Sequence, residues 1–478
     1  MQTGSDRPYT RHVLPNGLRV LVAPMPHTRS VTVALYFGSG SRYEPAQEQG
    51  IAHLVEHMLF KGSRRYPSAQ SISETIEGVG GILNAVTDKE LTAYYAKVAS
   101  RHAELAFDLL ADMVQAPLLE AAELEKEKRV VLEELGLAQD APGEWVHQLM
   151  SELLWPEQPL GWEIAGTPAT VNAQTRDSLV AYIRRSYGPA NTVLMIAGDA
   201  DPGRVATIAA ERYAGAGAAA PSWSPARGAT GQPLVALQER ETEQAYLCLG
   251  GPAIARGDPD RYALRLANAI LGDGMSSRLF LEVRERRGLA YDVQSYVNAF
   301  YDTGALVVTA GVEPEQVDPA LEAVLSEVDK LRQSPVPETE LRKVKEYVKG
   351  RTVLSLEDSA SVASWYATQE LLTPELLTPD EAIERIEAVS VEDVLRVSRR
   401  VFTADWLNLA YIGPGLHADD LRRRLRLPSS GVWRLASGVW RLASGVWRLA
   451  SGVWDFVLRR LRLHNGVVGT TTASTGAA

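Results

Sequence analysis

The sequence predicts an α+β protein of two homologous α/β-layered domains, each a mostly antiparallel sheet packed with helices, joined by a linker. Three observations predict it. At 478 residues, 45% apolar and 23% charged, the chain is long for one domain and has the balance of a globular protein with ample core. Stretches that alternate as half-buried strands do interchange with stretches of helical period. The order of strands and helices before residue 214 then recurs, with weak sequence similarity, between about 233 and 413.

Residues 11–38 read as strands, with Asn16-Gly17 a hairpin-turn dipeptide between apolar runs and residues 30–37 alternating in polarity. Next comes Gly50-Ile-Ala-His53-Leu-Val-Glu56-His57-Met-Leu-Phe60, a helix bracketed by Pro45 and Gly62. It is apolar nearly all round, the mark of a buried helix. A second helix, at about 69–77, stops at Gly78, and residues 80–87 and 91–98 read as strands about a turn at Asp88-Lys89. Helices are expected at about 101–115, 121–150 and 175–186, a strand at 192–197, and a helix from Pro202 to about Tyr213. Residues 215–228 lose all periodicity and are rich in Gly, Ala and Pro, the composition of a linker. The expected domains are therefore 1–213 and 233–413, with a linker at 214–232 and a tail at 414–478.

His53, Glu56 and His57 stand three and four apart, hence on one helical face. Three ionisable groups in a buried helix are costly unless paired or bound to a metal. The order H-x-x-E-H is the inverse of H-E-x-x-H and is the inverzincin signature of zinc enzymes. Catalytic zinc takes three protein ligands and keeps a fourth position open. The alternative is a pair of satisfied core histidines with an exposed glutamate. A third ligand is sought in the helix 121–150, where Leu124, Val131, Leu135 and Ala138 mark a buried face and Glu127 and Glu134 fall inside it. Glu123, Glu125, Lys128 and Glu133 suit a solvated face. Glu134 is the preferred ligand, with Glu133 as the alternative because helix registers drift at boundaries.

On these residues the chain resembles the pitrilysin/insulinase family of zinc peptidases, which includes the mitochondrial processing peptidase. The likeness spans about residues 8–413, and 76 residues separate His57 from Glu134, as the family requires. The resemblance implies one Zn2+ per chain held by His53, His57 and Glu134, with Glu127 as an accessory catalytic glutamate. It implies a zinc metalloendopeptidase acting on peptides or unfolded segments. Glu56 would be the general base on a metal-activated water and would pass the proton to the leaving amine. Residues 80–87 resemble the family's Gly-Gly-x-x-Asn-Ala-x-Thr segment, implying an edge strand where Asn84 and Ala85 contact substrate. On local sequence alone an ordinary hairpin serves as well.

The second half holds no His-x-x-Glu-His. Sliding Ala34 onto Tyr246 sets Arg265, Asn268 and Ala269 against His53, Glu56 and His57. The glycines at 272–274 invite a phosphate-loop reading, but the lysine and spacing of one are absent. The following segment is similar to the family's C-terminal one, whose Arg and Tyr lie seven apart, matching Arg284 and Tyr291 as substrate contacts. By themselves these two read as a surface Arg and a core Tyr. The resemblance further implies that two chains pair, the zinc half of one facing the Arg-Tyr half of the other, so a homodimer would complete two sites. A catalytically silent structural or partner subunit is the competing reading.

A net charge of −10 argues against nucleic-acid partners. The single cysteine, Cys248, rules out an intrachain disulfide framework and reads as a buried strand residue. No run reaches the length of a membrane span and the start lacks an apolar signal core, so the expectation is the cytoplasm. In the tail Ser-Gly-Val-Trp-Arg-Leu-Ala recurs three times over residues 430–450 and begins again at 451. A helix there would be amphipathic and basic, with Arg434, Arg441 and Arg448 together, suited to a membrane surface or partner. A glycine in every heptad costs about 1 kcal/mol each against Ala, which favours a repeat expansion without function. Residues 465–478 read as disordered.

Overall fold

The computed structural model describes residues 7–213, 221–228 and 233–425. The first half contributes β1 (Thr10–Val13), β2 (Arg19–Pro24), β3 (Ser30–Phe37), β4 (Ile82–Thr87), β5 (Thr92–Ala99) and β6 (Thr192–Gly198). They form one sheet in the order β1-β2-β6-β3-β5-β4. The second half contributes β7 (Val235–Glu239), β8 (Ala245–Ala253), β9 (Ala290–Ala299), β10 (Gly304–Val312) and β11 (Asn408–Gly413), in the order β7-β11-β8-β10-β9. From β2 and β7 onward the sheets repeat strand for strand. β2 runs parallel to β6 as β7 does to β11, and the remaining neighbours are antiparallel. The fold class read from sequence, two helix-packed sheets in repeated order, is the one observed.

Every residue of β6 is buried, which explains its unbroken apolar run. One face of its sheet is covered from within its own half, where Ile51, Leu54, Val55 and Met58 join Val33, Leu35 and Phe37 in one core. The other face is covered from the second half: Val362, Ala363 and Tyr366 of the helix Ser359–Leu372 pack with Leu21, Ala34, Val193 and Met195. The loan is reciprocal. Val146, Met150 and Leu154 of the helix Pro142–Leu154 pack with Cys248, Ala305, Val307 and Ile412 of the second sheet. Each fully buried side chain of this size contributes roughly 1.5–3 kcal/mol, so each sheet depends on a helix from the other half.

The helix expected over 121–150 is instead two, Ala121–Asp140 and Pro142–Leu154, separated at Ala141 with φ −96° and ψ 90°. Pro142 is the cause: its ring disfavours helical backbone in the residue before it and suits the first turn of a new helix. Lys128, expected on a solvated face, is buried, with Nζ donating to Glu125 Oε1 at 2.7 Å and to the Asn172 carbonyl at 3.2 Å.

The described part of the expected linker is docked on both halves. Ala226 N donates to Asp302 Oδ2 and Arg227 N to Gln158 Oε1, each at 2.7 Å. Beside it the buried Arg42 guanidinium bridges Glu90 at 2.6 Å and Asp302 at 2.5 Å. The body also continues past 413: a helix Ala418–Arg424 follows, with Leu421 and Leu425 buried. The heptad repeat and residues 465–478 lie outside the described residues. Among those described, no helix is long and apolar enough to cross a membrane.

Candidate metal centre

The helix Ile51–Leu59 begins at Gly50, whose φ of 87° is left-handed and which has no side chain to cap with. A Cβ there would meet the Ala165 carbonyl oxygen at 2.4 Å, so only glycine fits. The cap comes from outside the helix. Glu44 accepts from Gly50 N through Oε2 and from Ala52 N through Oε1, both at 2.8 Å. Burial pushes the Glu44 carboxyl up to about 8, against the pull of those two N–H groups. Sequence reading missed Glu44, because capping signals are sought at the cap residue and three beyond it, and this one precedes Gly50 by six.

From that helix His53 and His57 direct Nε2 to one point, 3.3 Å apart. Glu134, from the helix Ala121–Asp140, brings Oε2 to 3.6 Å from His57 Nε2 and 3.8 Å from His53 Nε2. Zinc–ligand bonds of about 2.0–2.1 Å in a tetrahedron place donors roughly 3.4 Å apart. The triangle fits that ion. Burial, with the neighbouring His57, lowers His53 to about 4 and keeps it neutral, the form in which imidazole ligates. The His53 and His57 side chains are 20% and 17% exposed and that of Glu134 is 43%, so the triangle opens on the glutamate side. Among the described residues this is the one group of three or more His, Cys, Asp or Glu able to share an ion. Glu133, the alternative, is exposed and outside it.

Glu127 stands behind this triangle. Its Oε2 lies 3.1 Å from His57 Nδ1 and its Oε1 2.8 Å from Lys61 Nζ. A carboxylate on Nδ1 holds the proton there and leaves Nε2 free as a ligand. His53 Nδ1 is buried and has no hydrogen-bond partner. Glu56, on the same helix face, accepts from Thr87 Oγ1 at 2.5 Å. Burial raises the Glu56 carboxyl above its ordinary range, while the Thr87 hydroxyl and His57 pull it down. Thr87 closes the Gly-Gly-x-x-Asn-Ala-x-Thr stretch, but its bond to Glu56, like that of Lys61 to Glu127, is a tertiary contact with no local signal.

Asn84 and Ala85 lie on β4, which among the described residues pairs with β5 alone and so is one open edge of the sheet. Asn84 is exposed, its Oδ1 accepting from Ala85 N at 2.8 Å, and Ala85 is half-buried. Arg284 sits on the helical turn Phe280–Arg286 with its guanidinium 5.0 Å from the Tyr291 ring centre and 4.8 Å from that of Phe280. Tyr291, at the start of β9, is 77% exposed and so is no core residue. Among the described residues no hydrogen bond or ion pair ties this pair to the metal triangle. On the helix Arg261–Gly272 of the second half, Arg265 Nη2 donates to Thr352 Oγ1 at 3.1 Å and Asn268 Nδ2 to the Ser295 carbonyl at 3.3 Å. Ala269 is buried, and none of the three is a metal ligand type.

Comparison with known proteins gives two successive family matches. Residues 19–168 match the family model described as Insulinase (Peptidase family M16), and residues 173–348 match that described as Peptidase M16 inactive domain. An uncharacterized zinc protease of Streptomyces coelicolor is 38% identical over 413 residues, covering 84% of this chain and 89% of its own. Another, from Bacillus subtilis, is 37% identical over 410 residues, covering 84% of this chain and 98% of its own. The crystal structure of a protease from Helicobacter pylori has a TM-score of 0.79 over 85% of this chain and 99% of that one. At 22% identity that likeness is one of fold.

Proposed function

Because the chain belongs to the insulinase family of peptidases (peptidase family M16), we propose that it is a zinc-dependent metalloendopeptidase that cleaves peptides or unfolded segments. The carrying observation is the triangle of His53 Nε2, His57 Nε2 and Glu134 Oε2, whose edges of 3.3, 3.6 and 3.8 Å suit one tetrahedral ion per chain. Zinc, when bound there, supplies a Lewis acid that polarises the scissile carbonyl and acidifies water.

The chain's own groups do the rest. Thr87 occupies Oε2 of Glu56, which leaves the other oxygen to take the proton of the attacking water and deliver it to the leaving amine. A carboxyl raised by burial is a stronger base than an ordinary one, closer to the pH at which it works. Glu127 positions His57 and touches no reacting atom. The open edge of β4 offers main-chain groups to an extended substrate alongside Asn84 and Ala85, giving sequence-tolerant affinity. Arg284 and Tyr291 act in this reading from the second chain of a homodimer, donating to the oxyanion as it forms. Their mutual stacking and the exposure of Tyr291 support it.

The test is zinc content and cleavage of a quenched fluorescent peptide in wild type, Glu56→Gln and Glu134→Gln. The Glu56 variant should hold zinc and turn over at least about 100-fold more slowly, and the Glu134 variant should lose zinc. Undiminished turnover in Glu56→Gln removes the mechanism. A zinc-loaded wild type that cleaves nothing makes the chain a silent subunit.

A further inference from the structure

The metal-free half has a cavity of its own, about 900 Å3, walled by the helix Arg261–Gly272, β9 and the exchanged helix Ser359–Leu372. That volume is in the range of ligand pockets, about 300–1,000 Å3. Arg265 and Asn268 line it, the two residues that sliding Ala34 onto Tyr246 along the sequence sets against His53 and Glu56.

Its polar groups are unbalanced in a particular way. Arg265 has one hydrogen bond, to the neutral Thr352 hydroxyl, and no ion pair among the described residues. Arg261, which also lines the cavity, has among the described residues side-chain bonds only to the Asp258 carbonyl at 3.4 Å and the Tyr262 hydroxyl at 3.5 Å. Arg256 reaches Glu90 only at 3.8 Å, and its Nε is buried without a partner. Against these three guanidiniums the lining has one acid, Asp273, which accepts from the Tyr347 hydroxyl and whose charge acts on Arg265 from beyond ion-pair distance. Arginine stays protonated in proteins, and its planar fork matches carboxylate or phosphate. A second imbalance separates those two. Asn268 Oδ1 is buried with no hydrogen-bond partner, so a ligand that completes the site brings a hydrogen-bond donor as well as an anion. Hydrogen phosphate offers a donor only as an O–H of the anion itself, whereas a peptide carries an N–H at almost every residue, separate from its carboxylate.

We propose that this cavity binds a carboxylate-bearing stretch of peptide, with Arg265 holding the carboxylate and Asn268 Oδ1 accepting a main-chain N–H. The carboxylate belongs either to an acidic side chain or to the peptide's C-terminus. Identifying the peptide with a substrate of the metal site rests on the proposed function; the cavity's chemistry does not. Such a site would bias cleavage toward acidic or short-ended peptides by anchoring them away from the scissile bond.

The experiment is calorimetric titration of the full zinc-loaded chain carrying Glu56→Gln, repeated after zinc is removed by chelation. The probes are doubly capped Ala-Glu-Glu-Ala, doubly capped Ala-Gln-Gln-Ala, Ala-Gln-Gln-Ala with a free C-terminus, and inorganic phosphate. At least one carboxylate-bearing peptide should bind tenfold or more tightly than the capped glutamine peptide, and which one does so identifies the source. Chelation should leave that affinity unchanged, so failure of the zinc reading is visible separately as absent metal or absent cleavage. Arg265→Gln should weaken binding at least tenfold, Arg265→Lys should recover part of it, and Arg261→Gln should weaken it less, with thermal melts confirming that each variant is folded. The proposal is overturned if the capped glutamine peptide binds equally well or if only phosphate binds. It is overturned too if chelation abolishes binding, or if folded Arg265→Gln and Arg261→Gln both bind as wild type does.

Discussion

Replacing Glu127 probes the metal centre without touching a ligand. Its carboxylate sits 3.1 Å from His57 Nδ1 and its side chain is only 7% exposed, so water is poorly placed to substitute for it. Outer partners of metal-bound histidines are worth about 10- to 100-fold in metal affinity, which at about 1.36 kcal/mol per decade is roughly 1.4–2.7 kcal/mol. The two obvious substitutions should divide that range. Glu127→Gln keeps a carbonyl oxygen to accept from Nδ1–H but loses the charge, and should weaken zinc binding about tenfold. Glu127→Ala leaves the Nδ1 proton without an acceptor and frees the ring to rotate, and should weaken it about 100-fold. Loss of the Lys61 pair adds little, since that ammonium is 27% exposed and can be solvated. The assay is competition for zinc against a chelating dye, with melting of the metal-free proteins as a control for general destabilisation. If Glu127→Ala binds zinc within about twofold of wild type, the positioning role is wrong. A loss far beyond 100-fold would instead make Glu127 a ligand.

Three further outcomes follow from the same geometry. Thr87→Val removes the hydroxyl that donates to Glu56, which raises further a carboxyl already lifted by burial; zinc content should hold, while the acid limb of the kcat profile moves to higher pH. An unmoved limb would show that the bond does not tune the base. Glu44 has a folded value of about 8 against an ordinary 4.5, so the folded state binds the extra proton and the stability it contributes drains away as pH rises between those values. The unfolding free energy of wild type minus that of Glu44→Gln should therefore fall from pH 5 to pH 9, and a constant or growing difference contradicts the assignment. For the homodimer, equal mixing of Glu56→Gln with Arg284→Ala should restore activity in about a quarter of the sites if each site draws on both chains. No restoration, with exchange of chains verified, places both residues in one subunit's site.

That His53, Glu56 and His57 share one face was legible because the geometry is local: spacings of three and four decide a helical face whatever surrounds it. Glu134 could be set beside them as the preferred third candidate because apolar residues on either side of it mark the face it shares. The same periodicity misled at Ala141, where the apolar pattern was carried through Pro142 although the ring breaks the helix there. Lys128 was misread for a related reason, since a long side chain can lie buried while its ammonium finds carbonyl and carboxylate partners.

Local spacing and periodicity were enough for the repeated order of strands and helices, the two imidazoles with a carboxylate between them, and the absence of such a motif from the second half. Packing of the whole chain decided which groups stand behind them: Glu44 on the helix start, Thr87 on Glu56 and Lys61 on Glu127. It also decided the exchange of helices between halves, which no stripe could foretell. A periodic stripe states how much surface must leave water, and burial is non-directional. Which surface covers it is chosen only when the whole chain has packed.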